Sequence, residues 1–427
     1  MKRLMNKWWL PTLLLFIVAG GYEGYRKYNY HKKLELLRLA HRPPLPFTYN
    51  VTVCDSNEKG YLLLAPYKPL VKNEGKLMIM DMQGNIVFEK RIDQTIYGFR
   101  QWKIGKNVYY TYMVDDTTAY HINKIHLYAG HAVICDTGLN VIKTVHLIPH
   151  DDITTNRHED LDPHDFILLD TNHYITCACY EKHVDNIPDS LHPCKNVKVG
   201  AIIIQEIKDG KLVFHWDATK FPEFYGVSTE KNNFADSSVT HDFMHVNSMF
   251  IDPKDNNLIV SFRCLNQFIK IDRKDGHIIW RLGGKNSDFP LTDDQYFYRM
   301  HHVTLVDSGK TYMMLDNGDT IKRRSSRFME MQIDETNRKI LSHRYTVDPD
   351  TQAWFMGSVF KENDDYLVAG GSGKFVLKLD KNTRKKKFEM FLSQLNYRAY
   401  KVDSLYGLEK HFTKSSKANN VFVGGKP

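Results

Sequence analysis

Apolar residues recur along this chain in short runs, not at helical spacing, and the runs pair into hairpins. Each pair brackets a turn of Asp, Gly or Asn. The segments are GKLMIMDMQGNIVFEKR (75–91), HAVICDTGLNVIKTVHL (131–147), GAIIIQEIKDGKLVFHWDA (200–218), QFIKIDRKDGHIIWRLGG (267–284), RFMEMQIDETNRKILSHRY (327–345) and KFVLKLDKNTRKKKFEMFL (374–392). Another apolar strand precedes each: YLLLAPY (61–67), VYYTYMV (108–114), HYITCACY (173–180), NLIVSFR (257–263), TYMMLDNG (311–318) and DYLVAGG (365–371). Most units have one strand more: YGFRQWKIG (97–105), HDFILLD (164–170), HVNSMFID (245–252), HHVTLVD (301–307) and AWFMGSVF (353–360). The turn centres Gly84, Gly138, Gly210, Gly276, Asn337 and Asn382 lie 45 to 72 residues apart. Four strands per unit and six units predict an all-β, six-bladed β-propeller, which closes radially and leaves few edges. A sandwich would leave six similar hairpins unexplained. A β-helix would need shorter, more regular periods.

The N-terminus breaks this pattern. Lys2, Arg3 and Lys7 precede an uncharged run from Trp8 to Tyr22. That run is shorter than the roughly 20 residues of a comfortable bilayer span and suits a signal peptide or signal anchor over 1–22. Residues 23–46 are basic and tyrosine-rich and read as a stalk, ended by Pro43, Pro44 and Pro46. The propeller is expected over 47–410, with a polar tail at 411–427. The leader predicts an exported protein, secreted, periplasmic or anchored to the membrane through residues 8–22.

Composition adds mainly exclusions. With 427 residues and 42% hydrophobic content, the chain can bury a large core. Its net charge of +8 is spread thinly. The one dense basic run, Lys381 to Lys387, falls in a turn without interleaved aromatics, so nucleic acid is not an expected partner. Six cysteines (Cys54, Cys135, Cys177, Cys179, Cys194 and Cys264) are too few for a disulfide scaffold, and Cys177 and Cys179 read as packing residues on one strand face. No phosphate-cradling glycine motif is present, and no cofactor is expected.

The candidate chemistry lies at strand starts. His164, His245 and His301 each open the first strand of a unit, the strand that lines the channel of a propeller. Three histidines in one structural slot would face one another. His302 leaves the register open, since alternation points the two to opposite faces; alignment with 164–170 and 245–252, where histidine comes first, favours His301 facing inward and His302 packing against a neighbouring blade or loop. By the same alternation Asn247 shares a side with His245, and Arg263 ends the adjacent strand. Arginine's planar fork suits a tetrahedral oxyanion. The set reads as a metal-free anion site in which a neutral imidazole acts as nucleophile or base. A three-histidine zinc site is the competing chemistry. Asp165 and Asp242 are nearby but are expected to point away, and the arginine would repel a cation. Ser248 has no catalytic relay at the usual spacing. The loop 150–165 is rich in His and Asp and offers a calcium site or a solvated loop.

The segments DPHDFILLD (162–170), GAIIIQEIKDGKLVFHW (200–216), HVNSMFIDPKDNNLIVSFRCLNQFIKIDRKDGHIIWRLGGKNSDF (245–289), YRMHHVTLVDSGKTYMMLDNG (298–318) and YRAYKVDSLYG (397–407) resemble the bacterial arylsulfotransferase (aryl-sulfate sulfotransferase) family. The resemblance spans about residues 55 to 407. It implies a six-bladed propeller that moves a sulfuryl group from a phenolic sulfate donor to a phenolic acceptor without a nucleotide sulfate donor. It further implies His301 as the nucleophile that becomes a sulfohistidine, giving ping-pong kinetics. His245, Asn247 and Arg263 would hold the sulfuryl oxygens, and His164 would act as donor or acid/base partner. Met300 stands where the family commonly has glutamine. Two rival functions remain at this level: a non-catalytic propeller that binds anionic aromatic ligands or a surface partner, and a sulfatase with water as acceptor.

Overall fold

The computed structural model describes residues 47–68, 75–115, 130–154 and 161–412. The expected leader (1–22), the stalk (23–46) and the tail beyond 412 lie outside the described residues. No helix among the described residues is long and apolar enough to cross a membrane.

Six antiparallel sheets form six blades. Blade two is built from Thr95–Ile104, Asn107–Asp115, Gly130–Cys135 and Val141–Val145. Blade three uses Phe166–Asp170, His173–Val184, Val197–Lys208 and Lys211–Asp217. Blade four uses Val246–Ile251, Leu258–Phe262, Gln267–Ile271 and Ile278–Gly283. Blade five uses His301–Val306, Thr311–Asp316, Arg327–Asp334 and Lys339–Thr346. The chain's two ends complete the other two blades. In blade one, Tyr61–Leu64, Gly75–Asp81 and Ile86–Ile92 take Tyr400–Val402 as their innermost strand, with Tyr61 opposite Val402. In blade six, Ser358–Glu362, Asp365–Ala369, Phe375–Asp380 and Lys386–Leu392 gain Tyr49–Cys54 as a fifth, outer strand.

The near-continuous apolar runs are now explained. A second strand such as Leu258–Phe262 is buried at every position because a neighbouring blade covers each face. Alternate residues of Tyr61–Leu64 show this directly. Leu63 packs with Tyr110 and Val133 of blade two, while Leu62 packs with Leu367 and Val376 of blade six. Each of the six blade interfaces holds its own apolar cluster. Trp280 fills the interface between blades four and five, completely buried. Outer strands such as Lys339–Thr346 face water and are mostly polar.

The turns recur for a chemical reason. The carboxylates of Asp81, Asp136, Asp272, Asp334 and Asp380 each accept a backbone N–H two residues on. That local bond stabilises a tight turn in five of the six outer hairpins. All six cysteines are free thiols, and Cys177 and Cys179 are buried in the interface between blades three and four.

Candidate functional site

Three imidazoles meet where blades three, four and five begin. The His164 ring centroid lies 5.0 Å from that of His245 and 6.0 Å from that of His301. Tyr397, just before the last inner strand, closes the group at 5.7 Å from His164 and 5.2 Å from His301. All four side chains are buried.

Each imidazole is anchored through the same nitrogen. His301 Nδ1 bonds the Gly357 carbonyl oxygen at 2.9 Å, His245 Nδ1 bonds Asp242 Oδ2 at 2.7 Å, and His164 Nδ1 bonds Asp162 Oδ1. A carbonyl or carboxylate can only accept, so each Nδ1 carries its proton and each Nε2 lies on the opposite side of its ring. The backing differs, however. Two rings rest on carboxylates, and His301 rests on a neutral carbonyl. Burial, then the nearby His164 and Arg398, holds His301 well below the ordinary histidine range, so its imidazole stays neutral. Its Nε2 faces the Tyr397 hydroxyl at 3.5 Å.

The backbone sets these directions. His245 has φ of 60°, in the left-handed region that costs roughly 1–2 kcal/mol for a non-glycine residue. The pairing register slips between Val246 and Ser248 on blade four and between His301 and Thr304 on blade five. These bulges re-aim the side chains. His302, with φ of 52°, turns away from the imidazole cluster: Nδ1 bonds the Val359 carbonyl oxygen at 3.2 Å and its ring packs on Phe360 at 4.4 Å.

Strand alternation misplaces one side chain, Asp242. Asn247 is the extra residue of the bulge on blade four. It is fully buried, and its Nδ2 donates to the Met300 carbonyl oxygen at 2.8 Å, one residue before His301. Asp242 does not point away, because residues 242–245 precede the strand; it anchors His245. Asp165 points away from the imidazoles, as expected, and meets the buried guanidinium of Arg398 at 3.1 Å. Arg263 lies beside His245, its backbone N–H bonded to the His245 carbonyl oxygen at 2.8 Å. Its guanidinium holds Glu230 at 3.0 Å, and Arg299 holds the same carboxylate at 3.1 Å.

Arg398 and Tyr397 are the residues the sequence reading passed over. Arg398 is buried, donates to the Asn247 carbonyl oxygen at 2.8 Å, and lies over the Tyr397 ring at 5.0 Å. Asp165 in turn accepts the Met249 backbone N–H at 2.9 Å, so one ion pair ties three segments together behind the histidines. The available signal was topological. Blade one lacked an inner strand, and YRAYKV was the apolar segment left over after the last hairpin. Beside the histidines is a narrow recess lined by Tyr97, Pro163, His164, Met356 and Tyr397. Tyr67 extends this aromatic wall, 4.7 Å from Tyr97.

Asp242, His245 and Cys264 lie close enough to suggest a metal. Burial, reinforced by Asp242, pushes the Cys264 thiol well up, so it stays protonated. Arg263 Nη1 also lies 3.6 Å from its sulfur. A thiol beside a guanidinium is a poor place for a cation.

Residues 62–401 match the family described as Arylsulfotransferase (ASST). No curated protein matches the chain. Among solved structures, a protein of unknown function from Bacteroides caccae is 11% identical, with a TM-score of 0.44, covering 81% of this chain and all (100%) of that one. The periplasmic gluconolactonase PpgL of Pseudomonas aeruginosa is 10% identical, with a TM-score of 0.44, covering 81% and 99%. Likenesses this remote carry no argument about chemistry.

Proposed function

Because the chain belongs to the arylsulfotransferase family, we propose that it moves a sulfuryl group from a phenolic sulfate to a phenolic acceptor in two displacements through a sulfohistidine at His301. The observation that carries the reading is the shared anchoring of the three Nδ1 atoms, with only His301 backed by a neutral group.

In the first displacement the His301 Nε2 lone pair attacks sulfur. The bond between sulfur and the aryl oxygen breaks, and its electron pair leaves on the phenolate. A proton from His164 reaches that oxygen, and Asp162 behind the ring stabilises the charge this histidine carries before transfer. In the second, the acceptor phenol gives its proton back to His164 and its oxygen attacks the sulfohistidine. The N–S bond breaks and His301 regains its lone pair, so protons and charge balance over the cycle.

The transferring group spreads negative charge over three oxygens, and fixed donors and positive charge around it lower the barrier. Arg263 offers guanidinium N–H groups beyond the one on Glu230. His245 supplies Nε2, and Asn247 aligns the His301 strand through Met300 and is read as a further donor to the sulfuryl oxygens. Arg398 adds buried positive charge behind Tyr397. The reading also places the protein outside the cytoplasm, exported by its N-terminal segment.

The test is intact-mass analysis after brief exposure to an aryl sulfate. A gain of one sulfuryl group on a His301 peptide, discharged by added phenol, is expected. No mass gain together with no sulfated acceptor would overturn the proposal.

A further inference from the structure

The histidine- and aspartate-rich loop singled out in the sequence meets a second imidazole from another segment. His150 begins a tight turn in which His150 and Ile153 exchange both backbone hydrogen bonds, at 3.2 and 2.9 Å. Asp151 occupies that turn in the left-handed region, with φ of 52°. His215 stands on Lys211–Asp217, the outermost strand of blade three. The two rings lie 4.5 Å apart. One ligand atom from each of His150, Asp151 and His215 falls within 4.8 Å of the others.

The arrangement is built from behind. Gln205 is the cross-strand partner of His215. Its side-chain amide clasps Ile148, accepting the N–H and donating to the carbonyl oxygen, each at 2.8 Å. Ile153, at the far end of the turn, is buried. The loop is therefore fixed to the strand that carries His215. His215 also has a buried Nδ1 with no hydrogen-bond partner, an atom that ordinarily finds one.

We propose that His150, Asp151 and His215 bind a borderline divalent transition-metal ion of the zinc class. Two imidazoles and one carboxylate suit zinc, copper or nickel, whereas calcium takes oxygen donors. Lys220 Nζ lies 3.3 Å from Asp151 Oδ2, so a cation already sits on the third ligand. The ammonium is exposed and would swing away when the metal enters. This site is on an outer strand, whereas His164 precedes an inner one, and it is independent of sulfuryl transfer.

The experiment is calorimetric titration of the full chain with zinc chloride. One saturable site is expected, weakened at least tenfold in His150→Ala and in Asp151→Asn. Lys220→Ala should bind several-fold tighter, because the competing ammonium is gone; adventitious binding to scattered histidines would not respond this way. His277→Ala, on the exposed Asp272–Asp275–His277 turn, should leave the site intact. His150 and Asp151 lie on a partly exposed turn, so circular dichroism of these variants should match the parent even if His215→Ala fails to fold. The proposal is overturned if no saturable binding appears, or if affinity is unchanged in His150→Ala, or if it is lost instead in His245→Ala.

Discussion

His301 Nδ1 donates to the Gly357 carbonyl oxygen at 2.9 Å, and that bond commits the opposite nitrogen to the reaction. Asparagine can reproduce an Nδ donor but has nothing at the Nε2 position. His301→Asn should therefore keep the native fold and lose sulfuryl transfer by roughly a thousandfold or more, the scale of losing a nucleophile. Initial rates with an aryl sulfate and a thermal melt of the same sample check this. A variant with near-parental rate would remove His301 from the mechanism.

Tyr397 places its hydroxyl 3.5 Å from His301 Nε2 and its ring against His164. Tyr397→Phe keeps the ring and removes only the hydroxyl. The transfer rate is expected to fall about ten- to a hundredfold, on the scale of one positioned donor. An unchanged rate would make Tyr397 a packing residue.

Arg398 and Asp165 form a buried pair, and the Arg398 Nε has no partner of its own. Removing the charge of Asp165 leaves the guanidinium uncompensated. Asp165→Asn should lower unfolding stability by about 3–5 kcal/mol, read as a drop in the urea midpoint. A loss below about 1 kcal/mol would mean that water or another carboxylate already screens Arg398.

Acid should weaken the fold through His301 and His302. Burial is the main cause that lowers both, with Arg398 contributing, so both lie well below the ordinary value of 6.5. Above about pH 6.5 the folded and unfolded states are alike at these rings. Below it the unfolded chain takes up protons that the folded chain refuses, so stability falls by up to about 1.4 kcal/mol per pH unit for each ring. His302→Asn, which keeps a donor to Val359, should flatten this dependence in urea titrations between pH 7.5 and 5. Equal slopes for variant and parent would sink the assignment.

The hairpins were legible because the middle strands are buried on both faces and five of the six outer turns carry their own carboxylate. His164, His245 and His301 were legible as a set because repetition placed them in one slot. Period-two reasoning failed where it met single extra residues. The bulge at Asn247 and the left-handed backbone of His245 and His302 leave no hydrophobic signature. Gly98, in the left-handed region of the blade-two slip, was the one visible hint. Tyr397 and Arg398 were missed for another reason: their blade begins at the opposite end of the chain.

That shared blade governs when the protein can become active. Tyr61 opposite Val402 is a pairing between the first and last strands of the ring. Contacts so distant in sequence form slowly. Tyr397 and Arg398, which complete the histidine cluster, arrive with the same late segment. A chain still being synthesised therefore holds neither a sealed ring nor a finished site. Assembly of the whole ring and the onset of catalysis should be one event, triggered by the last strand.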